Sequence, residues 1–242
     1  NTNRLWSVNT ENASLTSVNS AVTTRTTYIS NVVNFWCSPN KYCLASLFVN
    51  INNTSIQCKG NNTGGQLGVG NTTDQTAYTS LNTTTFAPTN ILNIWPISLG
   101  NGGITPGYTI IQTVDFRIWF SGNNYNGVFG NGNTTNTSSF VDVTSSWGNL
   151  FLPIVNVVGS IDGFNNNAFC YIHRKNGTTD VLHLSGYLNS TTAIAPANIS
   201  LSFLQAGETI VQLKHTGTSQ YTPRVYLLTS LNNLFMRGYN IL

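Results

Sequence analysis

Few side chains in this chain of 242 residues could transfer protons or bind a metal ion. It has seven Asp or Glu and three His, and His173 and His183 lie on the two strands of one predicted hairpin, where they could face each other. Asp180 is close to both in sequence, which is a composition suited to acid–base chemistry or metal binding. Such a site would need a further ligand or a carboxylate partner. The alternative is a structural histidine pair in the hairpin, and we adopt that interpretation.

The other polar residues do not form a recognisable catalytic pattern. No two acidic residues lie close enough in sequence to suggest a paired-carboxylate site. The chain has no GxSxG motif, no Walker loop and no dinucleotide-binding fingerprint. It also lacks a CxxC pair or a Cys/His spacing that would suggest zinc. The sequence therefore predicts a protein that is not an enzyme, with no catalytic residue, no cofactor and no metal.

The elements that would position any site are revealed by an internal repeat. Residues 60–73 return as residues 122–135, with nine of fourteen positions identical at an offset of 62 and no gap. The copied glycines suit tight turns and positive φ angles, and the copied asparagines can bond their own loop. Self-similarity at a fixed period indicates a repeat architecture.

Strand-like runs rich in β-branched and aromatic residues precede each glycine cluster and predict hairpins. A short apolar segment precedes each hairpin, so each unit has about four strand candidates. The equivalent points lie near residues 8, 60, 122, 186 and 238, and are therefore 52, 62, 64 and 52 residues apart. Four-stranded units at this spacing predict the blades of a β-propeller.

The glycine cluster gives the resemblance to a family. A strand, Gly-Asn-Asn, a short gap, Gly-Gln-Leu-Gly-x-Gly and a Thr/Asn run resembles the repeat of RCC1-like (regulator of chromosome condensation) propellers. Residues 60–73 match this pattern closely, and residues 122–135 match it with Val128 and Phe129 in place of Gln and Leu. The structural glycines that the repeat implies are Gly60, Gly65, Gly68, Gly70, Gly122, Gly127, Gly130, Gly132, Gly186 and Gly238.

The fold that we expect is all-β, with about four RCC1-like four-stranded blades in one region over residues 1–242. The repeat units are placed at about 9–60, 61–122, 123–186 and 187–238. Members of the RCC1-like family, which this sequence resembles, usually close into a ring of seven blades. We therefore expect this region to be part of a larger propeller, because an open propeller of four blades would leave sheet edges unpaired. The alternative is an unusual closure of about four blades on themselves.

The cysteines have more than one interpretation. Cys43 and Cys170 fall at the same place in their repeats, inside an apolar run, where a small apolar side chain is expected. Cys37 and Cys43 could instead form a disulfide across a short loop. Both interpretations stay open at the level of sequence.

The composition excludes some partners. Charged residues make up 7% of the chain, against about 25% in a typical soluble domain, and 35 asparagines supply much of the polarity. The net charge is +3 and the cations are scattered, so the basic stripe that a nucleic-acid binder needs is missing. No apolar window of 18 residues suggests a membrane span. We expect neither nucleic-acid binding nor membrane insertion.

Binding residues are expected in the face loops, where propellers carry their ligand contacts. Tyr125 replaces Thr63 in the otherwise copied loop, Asn126 follows it, and Trp147 lies in a polar Thr/Ser/Gly/Asn run. These three residues are the candidate ligand contacts. For Trp147 the favoured interpretation is packing in the core, and for Tyr125 core packing and ligand contact are equally open.

The function that we expect is a non-enzymatic binding or adhesion module on an extracellular or virion surface, such as a phage fibre that recognises a host receptor or glycan. Low charge, Asn/Thr richness and missing catalytic groups favour this interpretation. The alternatives are a structural module that joins sister subunits of an oligomeric assembly, and a secreted protein-binding or inhibitory propeller.

Overall fold

The computed structural model describes residues 4–7, 26–38, 46–81, 86–98, 107–148, 152–162, 167–188, 191–216 and 224–238. Over these residues the regular structure is β-strand, apart from two single 3₁₀ turns at Pro88–Asn90 and Tyr125–Gly127. An N-terminal pair of antiparallel strands, β1 (Arg4–Ser7) and β2 (Thr26–Ser30), comes first.

Four antiparallel sheets follow, and within each the strands lie in sequence order. Sheet 1 contains β3 (Val32–Cys37), β4 (Leu47–Ile51), β5 (Ser55–Gly60) and β6 (Gln75–Ser80). Sheet 2 contains β7 (Ile91–Ile97), β8 (Tyr108–Thr113), β9 (Ile118–Gly122) and β10 (Thr137–Asp142). Sheet 3 contains β11 (Ile154–Asp162), β12 (Asn167–Asn176), β13 (Thr179–Leu188) and β14 (Thr191–Asn198). Sheet 4, within the described residues, contains β15 (Ile210–Thr216), β16 (Arg224–Thr229) and β17 (Leu234–Gly238).

The burial of the strands explains their composition. All six residues of β8 are buried, whereas none of the six in β10 is. A strand that is covered on both faces needs side chains that pack on both, and Tyr108 to Thr113 is such an uncharged, mostly β-branched run. The outer strand β10 is partly exposed and can therefore contain polar Thr and Ser residues.

Three hydrophobic clusters lie between consecutive sheets. Phe48 of sheet 1 and Ile94 of sheet 2 share one cluster. Tyr108 of sheet 2 and Cys170 of sheet 3 share the next, and Tyr171 and Leu213 belong to the third, between sheets 3 and 4. Each sheet therefore buries its faces against its neighbours in the sequence, as expected for stacked repeats.

The third strand of sheets 2 and 3 contains a glycine for a steric reason: Gly122 ends β9, and Gly186 lies two residues before the end of β13. Gly122 has φ 113° and Gly186 has φ 84°. A Cβ at Gly122 would collide with the backbone of Tyr108, and one at Gly186 with the backbone of Phe169. These positions therefore require glycine on both conformational and steric grounds.

The sheets confirm the predicted all-β class and its repeated four-stranded units. Each complete sheet takes its fourth strand from the segment after the glycine cluster. Sheet 2, for example, extends from Ile91 to Asp142, whereas the corresponding repeat unit was placed at 61–122. The repeats and the sheets are thus out of phase by one strand.

Candidate binding groove

The first copied loop is folded around the side chain of Asn62, which is fully buried. Its amide nitrogen donates to the carbonyl oxygen of Asn71 (2.8 Å), and its amide oxygen accepts from the backbone N–H of Leu67 (2.9 Å). The backbone N–H of Asn62 donates to a carboxylate oxygen of Asp74 at 2.7 Å. One side chain therefore fixes both ends of the loop.

The second copied loop repeats this arrangement around Asn124. The amide nitrogen donates to the carbonyl oxygen of Asn133 (3.0 Å), and the amide oxygen accepts from the N–H of Phe129 (2.8 Å). Asn136 takes the role of the aspartate, because its side-chain oxygen accepts from the backbone N–H of Asn124 at 2.8 Å. The copied asparagine is therefore a scaffold residue, since its hydrogen-bonding groups are already satisfied inside the loop.

Each loop is also attached to the outer strand of the next sheet. The N–H of Gly70 donates to the carbonyl of Ser138 in β10, and the N–H of Gly132 donates to the carbonyl of Ile194 in β14, both at 2.8 Å. The hydroxyl of Ser121 donates to the carbonyl of Gly65 at 2.7 Å. The repeat therefore holds neighbouring sheets together as well as closing its own turn.

A groove of about 480 Å³ lies where the first loop meets the second loop and β10. Among the described residues, its walls carry hydroxyl, amide and backbone groups with a single aromatic ring and no charged side chain. The lining residues are Thr63, Gly64, Thr72, Asn123, Tyr125, Asn136, Thr137 and Ser138. Such a surface can offer hydrogen bonds and one flat apolar contact to a neutral ligand, and its described lining contains no Asp, Glu, His, Lys or Cys.

Of the predicted ligand contacts, Tyr125 lies in this groove. The side chain is half-buried and packs against the core between sheets 2 and 3. Its backbone N–H donates to the side-chain oxygen of Asn123 at 2.9 Å, so its position is fixed. Asn126 follows it in the left-handed region, with φ 55°, and is not among the residues that line the groove.

Trp147 lies in the core. It is fully buried, stacks on Phe120 with ring centroids 5.9 Å apart, and donates from its indole N–H to the carbonyl of Phe129 at 2.8 Å. The side chain is therefore inaccessible to a ligand. Its neighbours along the chain are polar, but the residues that surround it in the fold include Phe120 and Phe129.

Sequence reasoning missed three groove residues at the start of β10: Thr137 and Ser138 in the strand, and Asn136 immediately before it. They lie across the sheet boundary from Thr63, which is more than 70 positions earlier in the chain. The copied Thr/Asn run after the glycine cluster was a signal, because a run that recurs at the same offset must occupy equivalent places in successive sheets.

The two histidines of the hairpin point to opposite faces of sheet 3. His173 lies opposite Leu182 and His183 opposite Ile172, so the predicted possibility that they face each other is wrong. His173 is buried with its Nε2 2.7 Å from Asp180, whose other oxygen accepts from the N–H of Ile210 at 2.6 Å. Burial lowers the pKa of His173, although the hydrogen bond that Nε2 donates to the Asp180 carboxylate acts in the opposite direction. The pair thus connects sheets 3 and 4.

The described cysteines have a structural environment. Cys58 and Cys170 are buried, and burial raises the pKa of both thiols. Cys37 is exposed and has no disulfide partner among the described residues. Cys43 lies outside the described residues, so the Cys37–Cys43 bridge stays a prediction. Among the residues that the structure describes, no three His, Cys, Asp or Glu side chains are grouped as a metal site.

No helix in the described part of the chain is long and apolar enough to cross a membrane.

No protein-family model matches the sequence, and no relative is found among curated proteins. Solved structures do resemble it. The crystal structure of human WBSCR16 matches with a TM-score of 0.56 and 17% identity, covering 87% of this chain and 48% of that one. Prp20p from Saccharomyces cerevisiae, whose structure was described with its binding to Gsp1p and histones, matches with a TM-score of 0.54 and 14% identity, over 78% of this chain and 43% of that one.

These neighbours confirm the RCC1-like β-propeller fold, and at such identities they show the fold alone. The chain spans about half the length of either. Both neighbours are intracellular proteins, so the predicted extracellular or virion-surface location is wrong. Its support was low charge, Asn/Thr richness and missing catalytic groups, and none of these properties is a targeting signal.

Proposed function

We propose that this chain is a non-catalytic binding module that holds an uncharged, polar segment of a protein partner in the groove. The observation that carries the proposal is the position of Tyr125, a half-buried aromatic ring in a groove whose other walls are neutral hydrogen-bonding groups. Aromatic side chains in such positions are frequent anchors of protein interfaces.

The groove is suited to binding because its walls are already rigid. Asn124 fixes the loop that carries Tyr125, and Asn62 fixes the loop that carries Thr63. A partner would therefore meet a surface that loses little conformational entropy on binding. Because none of the described residues that line the groove is charged, affinity would depend only weakly on ionic strength.

A glycan is the second candidate ligand, and the same ring favours it. A tyrosine ring beside the amide of Asn136 and the hydroxyl of Thr137 could stack on a sugar and bond its hydroxyl groups. Attachment of a virion to a host receptor is not retained, because its support was composition and the location that it requires is corrected above. Assembly with sister subunits stays a prediction.

Binding arrays test the proposal directly. The purified protein is applied to one array of uncharged synthetic peptides and one of glycans, together with Tyr125→Ala and the matched control Tyr187→Ala, whose partly buried tyrosine lies in β13 outside the groove. We expect peptides that bind the wild type and the control equally and bind Tyr125→Ala at least about tenfold more weakly. Glycan ligands with the same dependence would favour the second candidate. The proposal would be overturned if the ligands bound Tyr125→Ala as strongly as the wild type, or if neither array contained a ligand.

A further inference from the structure

A buried cation in sheet 3 has only part of its hydrogen bonding satisfied. Arg174, in β12, is 2% exposed. Its Nη1 donates to the carbonyl oxygen of Trp147 at 3.0 Å. Its Nε and Nη2 are buried and have no hydrogen-bond partner in the structure. Burial lowers the pKa of Arg174 to about 10, so the guanidinium is still charged at neutral pH.

The two free nitrogens lie on the same edge of the guanidinium group. In arginine, Nε–H and one N–H of Nη2 point in the same direction and form the fork that binds a carboxylate with two parallel hydrogen bonds. Nη1, which lies on the other side, is the nitrogen already used by Trp147. The part of Arg174 without a partner is therefore the part that recognises planar oxyanions.

His183 is next to this edge and is also incompletely satisfied. In the β12–β13 ladder Arg174 lies opposite Val181, and His183 lies opposite Ile172, so the two side chains are on the same face of sheet 3. The Nδ1 of His183 is buried without a partner. The ring lies 6.0 Å from that of Trp147, which places the histidine and the arginine against the same indole residue.

The described acidic residues do not neutralise this charge. Asp180 is on the opposite face, bound to His173 and to the N–H of Ile210. Asp162 pairs with Asn167, seven positions from Arg174 along β12, which is about 23 Å. The others are engaged elsewhere: Asp74 with Asn62, Asp115 and Asp142 with Arg117, and Glu208 with Thr229 and Asn233.

An unpaired buried charge costs several kcal/mol. We propose that the free edge of Arg174, with His183 beside it, is a binding site for a small carboxylate between sheets 2 and 3. Two hydrogen bonds from the guanidinium would hold the two carboxylate oxygens, and His183 would offer a third donor in the tautomer protonated at Nδ1. The site is separate from the groove and does not depend on the function proposed above.

Sodium formate is the probe, because it is the smallest carboxylate and its single proton can be observed by NMR. We expect saturable broadening of the formate signal by the wild-type protein, and a melting temperature that rises by several degrees at formate concentrations far above Kd. Arg174→Met removes the charge at similar volume, and we expect at least tenfold weaker binding. Arg117→Met removes an exposed cation and should leave formate binding unchanged.

A second variant keeps the test valid if Arg174→Met does not fold. Arg174→Lys retains the positive charge but lacks the planar fork, and it should also bind formate at least tenfold more weakly than the wild type. No saturable binding by the wild type would overturn the proposal. Equal binding by the wild type and the Arg174 variants would overturn it as well, since it would show that formate associates with the surface in general.

Discussion

The hydroxyl of Tyr108 in sheet 2 donates a 2.7 Å hydrogen bond to the carbonyl oxygen of Phe169 in sheet 3. The ring passes over Gly159 of β11, where a Cβ would contact the hydroxyl. A long polar side chain thus crosses from one sheet to the next at the one place where the neighbouring strand has no side chain.

This relationship predicts a non-additive pair of mutations. Tyr108→Phe should lower the free energy of unfolding by about 1 kcal/mol through the lost hydrogen bond. Gly159→Ala should lower it by about 1 to 3 kcal/mol, because the added methyl group collides with the hydroxyl. In the double variant the hydroxyl is gone, so the combined loss should be smaller than the sum. Urea unfolding measures all three variants, and strict additivity would contradict this geometry.

A pH dependence follows from His183. Burial, together with the charge of Arg174, lowers the pKa of His183 to about 4. The unfolded chain takes up this proton near pH 6.5, whereas the folded chain does so only near pH 4. The free energy of unfolding should therefore fall by roughly 2 to 3 kcal/mol between pH 7 and pH 4 from this residue.

His183→Gln provides the comparison for that titration. Its unfolding free energy should decrease less steeply over the same pH range than that of the wild type, in buffers free of carboxylates. If the two proteins showed the same slope, His183 would have to titrate alike in the folded and unfolded states.

The thiols should react selectively with iodoacetamide. Cys37 is exposed, whereas Cys58 and Cys170 are buried, and burial raises the pKa of Cys58 to about 12. In the native protein we expect alkylation of Cys37 and protection of Cys58 and Cys170, because only an accessible thiolate reacts. Peptide mass spectrometry measures the fraction of each cysteine that is alkylated, with and without denaturant. Native protection of Cys37, reversed by a reductant, would instead support the bridge to Cys43 predicted from the sequence.

The repeat allowed the strands and turns of the scaffold to be predicted from the sequence. The residues of the site were much harder to predict. The copied Gly-Asn-Asn segments indicated strands and turns because glycines and asparagines at fixed offsets have local, steric causes. The sequence favours the core for Trp147 but also allows a ligand contact, since its neighbours in sequence are polar while its contacts in space are Phe120 and Phe129. Arg174 gave no signal, because burial of a charge depends on packing between sheets.

Matched glycine substitutions in the two loops test whether the repeat connects the sheets. Gly127 and Gly132 both have positive φ, 72° and 81°, so alanine is strained at either. A Cβ at Gly132 would meet nothing within 4 Å, whereas one at Gly127 would approach the Cα of Ile194 in the next sheet to 2.7 Å. Gly132→Ala therefore measures the conformational cost alone, about 1 kcal/mol.

We expect Gly127→Ala to lower the free energy of unfolding by at least about 2 kcal/mol more than Gly132→Ala, because the methyl group collides with backbone that cannot rotate away. The first loop supplies an independent repetition. A Cβ at Gly65 would lie 2.7 Å from the Cα of Ser138, while one at Gly70 meets nothing within 4 Å. Denaturant unfolding of the four variants should therefore give two large and two small losses. Equal losses within each loop would mean that these glycines shape only their own turns, and that the sheets are joined by the apolar clusters alone.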